Sequence, residues 1–384
     1  RQLTLYEEQH LEFVGLISFT DQLKATAKKT LEKAQAFHVQ VKILTGDSPE
    51  VAGAVGHAVG LLARPEAVIT GKMLGEMSYE KRRQAIFNTS VFARVSPREK
   101  YEIIKILQGK YAVGFLGEGI NDTPALKIAD VGLVVQGAAD MAREAADVIL
   151  LQKNLDAVID GIKEGRAIFA NILKYLKITL TSNFGNFYSV ALASLFLPFV
   201  PLLPIQILLL NLLSDFPMIA IATDTVDAEE IEKPKQYHIH TVVLAAILLG
   251  AVSSFFDFML FGTFAKVSPE ALQTAWFFLS VITEIFLIFS LRTRLAFFRA
   301  SRPSSILMFL SAAVLVIAIA IPFVPWWAST FHFIRPDNSF ILIIASLSIG
   351  YFVATEAVKY LYDRHLHRTR FLRTPHKRRV LASI

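Results

Sequence analysis

Between residues 178 and 362 the chain passes through six apolar segments, at about 178–198, 203–223, 240–265, 273–291, 304–324 and 339–361. Each is long enough to cross a bilayer as a helix. Lipid supplies no partners for backbone N–H and C=O groups, so runs of this kind are expected as helices packed in a bundle. An even number of crossings returns the chain to the side it started from. The links agree with that alternation: Pro198 to Pro204 carries no charge, whereas 224–238, the stretch with Arg292, Arg294, Arg299 and Arg302, and the tail from Arg364 to Arg379 are polar or basic. Basic links lie on the cytoplasmic side of membrane proteins. The soluble part and the C-terminus are therefore expected in the cytoplasm, with the bundle in the plasma (inner) membrane and the lipid bilayer as its surroundings. A hydrophobic content of 53% and a mean hydropathy of +0.46 exclude a single soluble domain.

Residues 1 to about 177 are mixed and charged. An apolar strand at 11–18, a helix over 21–36 and a second strand over 39–44 form a βαβ unit that ends at Thr45-Gly46-Asp47-Ser48. A helix follows from Pro49 to Val59, with Ser48 as its N-cap, so this loop faces a helix N-terminus that favours anions. The run Tyr111 to Leu116 reads as another strand, broken at Gly117-Glu118-Gly119 before a helix that starts near Pro124. Glu118 and Asp122 are hard oxygen ligands of the kind that hold Mg2+, with the amide oxygen of Asn121 beside them. In a parallel sheet such a loop at a strand's C-terminal end is where the active site lies. Strands at 130–135 and 148–151 flank a short helix over 138–146, and Ile159 to Lys177 is amphipathic and basic. The absence of cysteine removes disulfides, thiolate metal sites and a cysteine nucleophile. Lys and Arg exceed Asp and Glu by 39 to 33, mostly through the tail, so nucleic acid is not an expected partner.

Polar groups inside spans are costly and face the bundle interior. Asn183 and Asn186 cluster in the first span, and Asn211, Ser214 and Asp215 precede Pro217 in the second. A proline there frees a carbonyl from its helix donor. These residues, with Glu284 in the fourth span, are the candidate ligands of a transported cation, Asp215 foremost. Asn183 and Asn186 also suit interhelical hydrogen bonding, and Asp257 in the third span suits snorkelling or pairing.

The run Gly-Glu-Gly-Ile-Asn-Asp-Thr-Pro-Ala-Leu at 117–126 resembles the Gly-Asp-Gly-x-Asn-Asp-x-Pro-Ala-Leu hinge of P-type ATPases, cation pumps with a haloacid-dehalogenase-like phosphorylation domain. Glu118 replaces the Asp with which the family holds catalytic Mg2+. The resemblance extends to Thr45-Gly46-Asp47, whose hydroxyl and backbone N–H groups hold the phosphoryl group in the family. It also covers Phe92-Ala93-Arg94-Val95-Ser96-Pro97-Arg98-Glu99-Lys100, in which Lys100 would neutralise phosphate charge. Asp21 and Lys24 match a further turn that lacks the family's prolines. The first two spans, with Ser182-Asn183-Phe184-Gly185-Asn186 and Asn211-Leu212-Leu213-Ser214-Asp215, are similar to the magnesium-transporting branch. The family's nucleophile is the Asp of an Asp-Lys-Thr-Gly-Thr run, which does not occur in this sequence.

The resemblance implies an incomplete α/β haloacid-dehalogenase-like, Rossmann-like phosphorylation domain (1–160), a stalk helix (161–180), an all-α bundle of six transmembrane helices (181–362) and a basic cytoplasmic tail (363–384). It further implies the C-terminal part of an ATP-driven pump, with Mg2+ as the expected cargo. The aspartyl phosphate would come from an N-terminal part of the same protein, so this chain alone is expected to be inactive. Thr45, Gly46, Asp47 and Lys100 are the expected catalytic residues. Thr45, Gly46, Lys100 and Asn121 are expected to hold the cofactors Mg2+ and ATP, with Glu118 and Asp122 on the metal itself. Two readings stay open beside it: a split, decayed or regulatory pump half, and a membrane-tethered phosphatase of the haloacid-dehalogenase kind.

Overall fold

A computed structural model describes residues 12–15, 17, 23–24, 26–152, 154–234, 239–370 and 379–383. The soluble part alternates helices and strands: α1 (Ala27–Ala36), β1 (Val39–Leu44), α2 (Pro49–Ala58), β2 (Ile69–Thr70), α3 (Gly71–Glu76), α4 (Tyr79–Asn88) and β3 (Val91–Ala93). It continues with α5 (Pro97–Gln108), β4 (Val113–Gly117), α6 (Thr123–Ile128), β5 (Val131–Val135), α7 (Asp140–Ala145) and β6 (Val148–Leu150). All strand pairings are parallel. Helices cover the sheet, which explains why β3 is buried at every position and β4 at nearly every one. Leu44, Phe92, Ile103, Ile104 and Phe115, all at 1% exposure or less, fill the space between sheet and helices.

Local chemistry sets the helix starts. Ser48 Oγ accepts from the N–H of Val51 at 3.4 Å, with Pro49 in the first turn of α2. Ser96 and Glu99 form a reciprocal cap on α5, with Ser96 N–H donating to Glu99 Oε2 at 2.7 Å and Glu99 N–H donating to Ser96 Oγ at 3.3 Å. A Cβ on Gly71 would come within 2.6 Å of the Glu99 carboxylate, so this position accepts no side chain.

The order across the sheet is β2-β3-β1-β7-β4-β5-β6, where β7 is Arg379–Ser383 from the far end of the chain. The expected strand at 11–18 does not take part: residues 12–15 and 17 lie outside the sheet and are exposed, and the other residues of that stretch are outside the described ones. In place of a free basic tail, β7 pairs in parallel with β1, Val39 opposite Arg379 through Ile43 opposite Ser383, and with β4, Val113 opposite Val380 through Leu116 opposite Ser383. β1 and β4 each present one unpaired ladder toward the other, and a central strand is required to satisfy both.

The remaining helices are α8 (Asp156–Phe196), α9 (Pro204–Ala220), α10 (Ala228–Glu232), α11 (Ile239–Phe264), α12 (Pro269–Leu291), α13 (Ser305–Ala320), α14 (Pro325–Phe331) and α15 (Asn338–Arg370). Five of them, α9, α11, α12, α13 and α15, are long and apolar enough to cross a membrane. α8 is one unbroken helix of 41 residues, about 62 Å at 1.5 Å per residue. Its first half packs beside α1 and its second half runs along α11. Over an apolar stretch of 18 residues α12 is 83% buried, against 22–44% for the other four, so α12 is the axis of the bundle. Trp276 and Phe277 on it are fully buried, with Phe261 edge-on to Trp276 at 4.9 Å. α8 and α11 meet on glycine: a Cβ on Gly185 would come 2.9 Å from Ser253 Cβ.

Candidate functional site

The loops after β1 and β4 lie at the same edge of the sheet, separated by the one strand β7, hence about 10 Å apart at the usual strand spacing. Thr45 is buried at 9%, and its Oγ1 donates to Asp47 Oδ2 at 2.8 Å while accepting the Asp47 N–H at 3.2 Å. This loop is tied to the next one by Arg94 N–H to Asp47 O and Val95 N–H to Thr45 O, at 2.9 and 3.0 Å. Beyond β4, Asp122 turns back on its own loop. Oδ2 accepts the N–H groups of Glu118 and Gly119, both at 3.3 Å, and Oδ1 accepts Lys100 Nζ at 2.7 Å. The Lys100–Asp122 pair is buried, at 11% and 10% side-chain exposure.

The pairing differs from the expectation of Lys100 and Asp122 acting on separate ligands. In this state the two charges neutralise each other, and backbone N–H groups take part of the remaining capacity of Asp122. Glu118 and Asn121 are exposed, and among the described residues no hydrogen bond or ion pair holds the Glu118 carboxylate. An exposed carboxylate with an amide oxygen nearby suits Mg2+, which keeps several of its waters. No group of three His, Asp or Glu side chains forms a metal cage among the described residues.

In the bundle, Glu284 of α12 is 6% exposed. Its Oε1 accepts from Ser182 Oγ at 2.6 Å and from Asn186 Nδ2 at 3.0 Å, both on α8 one turn apart. Ser214 of α9 lies beside it, and the charge of Asp215 reaches it. Glu284 Oε2 is buried and has no hydrogen-bond partner, a costly condition for a carboxylate oxygen. Glu284, Asn186 and Ser214 are thus brought together, with Ser182 as a member that sequence reasoning missed. Its signal was the spacing of four from Asn186, which puts both on one helix face.

Asn183, Asn211 and Asp215 are placed otherwise. All three are exposed on the flanks of α8 and α9, so Asp215, the foremost ligand expected, is not among the groups that contact Glu284. α9 packs against α8, α12 and α13, and Asp215 lies on the side that these neighbours leave open.

Two family matches divide the chain between them. Residues 2–130 match haloacid dehalogenase-like hydrolases, and residues 199–361 match the C-terminus of cation transporting ATPases. The magnesium-transporting P-type ATPase 1 of Escherichia coli K12 is 40% identical over 366 residues, covering 93% of this chain. The chain belongs to the P-type cation-transporting ATPases. It corresponds to the C-terminal portion of such an enzyme and spans about 40% of the length of that relative. A magnesium-transporting P-type ATPase 1 of Salmonella typhimurium LT2 is 35% identical over 94% of the chain and 40% of its own length. The calcium-transporting ATPase of Bacillus subtilis is 33% identical over 60% of the chain and 26% of its own length.

Where the soluble and helical parts join, an ionic cluster holds α8 to two loops. The Asp224 side chain is fully buried and accepts Lys174 Nζ at 3.1 Å, Arg292 Nε at 2.9 Å, Arg292 Nη2 at 3.0 Å and the Ser304 N–H at 3.2 Å. Burial pushes the Lys174 ammonium below its ordinary range, against the pull of Asp224. One turn or two before it, Asn171 donates to the carbonyls of Ala222 and Asp224, and Arg166 donates to those of Ile231, Glu232 and Phe37. Arg166 therefore joins the end of α1 to the end of α10.

Proposed function

We propose that this chain forms the coupling and transport part of an ATP-driven cation pump, with Mg2+ as its cargo. The observation that carries the reading is Glu284. A buried carboxylate with one oxygen held by amide and hydroxyl groups of α8 and the other without a protein partner is what an ion pocket between spans offers. The two magnesium-transporting relatives support Mg2+, and so does a pocket built from few carboxylates and several neutral oxygens, which suits an ion that keeps part of its water.

The phosphorylation half of the cycle would use the loops after β1 and β4. Thr45 and the backbone of Gly46 and Asp47 hold a phosphoryl group, and Lys100 stabilises its charge. Glu118 and Asn121, with Asp122, would hold catalytic Mg2+, which supplies charge neutralisation to the transferring group. The nucleophilic Asp and the ATP-binding domain come from the N-terminal part of the protein. The place between β1 and β4, taken by β7 here, is where a strand delivering that Asp would lie between the two loops. Asn183, Asn211 and Asp215 then face further helices from the same N-terminal part, since a carboxylate open to acyl chains is strongly disfavoured. Together with α8, the five apolar helices make a six-span bundle with the soluble part in the cytoplasm.

The test is cation-dependent phosphorylation of the full-length protein from ATP. Glu284→Gln and Asp215→Asn are expected to abolish it at limiting cation; wild-type phosphorylation by Glu284→Gln would remove the pocket from the reaction, and by Asp215→Asn would remove Asp215 alone. The position of β7 favours a second reading, a regulatory half that closes its own sheet. Deleting residues 379–383 would then raise the binding of a separately supplied N-terminal part, and unchanged binding would dismiss it.

A further inference from the structure

Lys42 of β1 is 3% exposed, and it lines a pocket of about 360 Å³ beside the first half of the strand. The register of the sheet leaves this space. β3 begins only at Val91, opposite Ile43, so Val39 to Lys42 have a neighbouring strand on the β7 side and none on the β3 side. The gap is bounded by Leu61, in the turn after α2, and by Phe87 and Asn88 at the end of α4. It lies at the end of β1 remote from the Thr45 loop, with Lys42 about 10 Å from Thr45 along the strand.

Lys42 Nζ donates to the carbonyl of Phe87 at 3.1 Å and to that of Thr89. An ammonium carries three donors, so one is left over. Lys100 and Lys174, buried to a similar degree, each hold a carboxylate. Lys42 holds none: among the described residues no Asp or Glu lines the pocket, and its other ionisable group is His38. Burial accordingly lowers the Lys42 pKa to about 8 with no carboxylate pulling against it, which leaves the group mostly charged at pH 7. A backbone donor joins it. The N–H groups of Ile43 and Thr45 donate toward β3, to Ser90 O at 2.8 Å and Phe92 O at 2.9 Å. Strand alternation puts the Val41 N–H on that same edge, where β3 has not yet begun. Gln40, Asn88 and Ser90 add neutral polar side chains, and Leu31, Leu61 and Phe87 an apolar wall. The ammonium repels a metal cation, and a neutral ligand would leave a buried charge unmatched.

We propose that this pocket binds a small organic oxyanion, a carboxylate or phosphate monoester with a short apolar body. The head accepts from Lys42 Nζ and the Val41 N–H, and the body lies against Leu31, Leu61 and Phe87. A cavity of this size exceeds the needs of inorganic phosphate and is at the small end of those that take organic ligands. The site is separate from the loops after β1 and β4, and the inference does not rest on the cation-pump reading.

The experiment is calorimetric titration of the whole chain in detergent micelles with butyrate, butyl phosphate and butylamine. One equivalent of an anion is expected to bind, the tighter of the two identifying the head group, while butylamine does not. Lys42→Met should weaken that binding about tenfold or more, as loss of a charged hydrogen bond does. Gln40 is exposed and shares a strand face with Lys42, so its charge variants test the site without touching the buried lysine. Gln40→Glu, of nearly the same size, should weaken binding about threefold, and Gln40→Lys should strengthen it by a similar factor. Thermal melts check that each variant is folded. No binding of either anion, equal binding of butylamine, or wild-type affinity in Lys42→Met would overturn the inference, and so would an affinity that neither Gln40 variant moves. Binding that Lys100→Met abolishes and Lys42→Met leaves intact would place the anion at the phosphate loop instead and equally refute it.

Discussion

Replacing Asp224 by Asn would test whether the ionic cluster at the junction holds the two parts of the molecule together. The Asp224 side chain has no exposure, and its partners Lys174 and Arg292 are 7% and 4% exposed. Removing one member of a buried pair leaves uncompensated charge, at a cost of about 3–5 kcal/mol. Asn retains one acceptor oxygen for four donors, so it recovers little of that, and the expected loss is about 3–4 kcal/mol. The assay is reversible unfolding of the whole chain in mixed micelles titrated with SDS. Arg98→Ala serves as a control, because its pair with Glu102 is solvent-exposed on the Arg98 side and should change stability by about 0.5 kcal/mol or less. A second arm adds Lys174→Met to Asp224→Asn: with one buried cation gone, the double variant should be more stable than the sum of the single losses by about 1–3 kcal/mol. A loss below about 1 kcal/mol for Asp224→Asn, or strict additivity in the double variant, would show that water reaches the cluster and that the pairing holds nothing.

Lys42 of β1 is buried and donates to the carbonyls of Phe87 and Thr89, and burial lowers its pKa from 10.5 to about 8. Below pH 8 folded and unfolded states are both charged and the full penalty applies, about 3 kcal/mol at 1.4 kcal/mol per pKa unit. Between pH 8 and 10.5 the unfolded state holds the extra proton, so stability rises with pH. Lys42→Met, which leaves two carbonyls unpartnered, is expected to gain about 1 kcal/mol at pH 7 and to lose that rise in thermal melts at pH 7, 9 and 10. Gly185→Val should destabilise the bundle by about 2–3 kcal/mol through overpacking against Ser253, read by the same SDS titration, while Gly262→Val, with open space at its Cβ, should not. Glu118→Asp in the full-length enzyme should raise turnover or lower the Mg2+ requirement in an ATPase assay; a loss of activity would show that the longer carboxylate is fitted to its surroundings.

Features written in adjacent residues were legible in the sequence. The Thr45 and Glu118 loops end strands as their glycines and flanking apolar runs required, and the Ser48 cap followed from its position before Pro49. The spans could be read because lipid leaves helices as almost the only option. What the sequence hid depends on partners far apart in the chain. Lys100 and Asp122 are 22 residues apart and were assigned to different ligands, although burial drives them onto each other. Arg379–Ser383 follows a basic run and reads as tail, yet five residues suffice to satisfy two open ladders. Asp215 looked like an interior ligand because its neighbours are apolar, but which side of α9 is covered depends on α8, α12 and α13. Asp257 gave no local sign of its partners, since Ser189 and Trp276 come from two other helices.

The unbroken course of α8 gives the molecule a see-saw. Lys174, fixed at the Asp224 cluster, divides the helix into arms of 18 residues to Asp156 and 15 to Ser189, about 27 and 22 Å. With a fulcrum so near the midpoint, any sideways swing of the upper arm by the soluble part is returned at Ser182, Asn186 and Ser189 with opposite sign and little loss of amplitude. A rotation of about 3° displaces Ser189 by about 1 Å, enough to part or close hydrogen bonds of the length seen at Glu284 and Asp257.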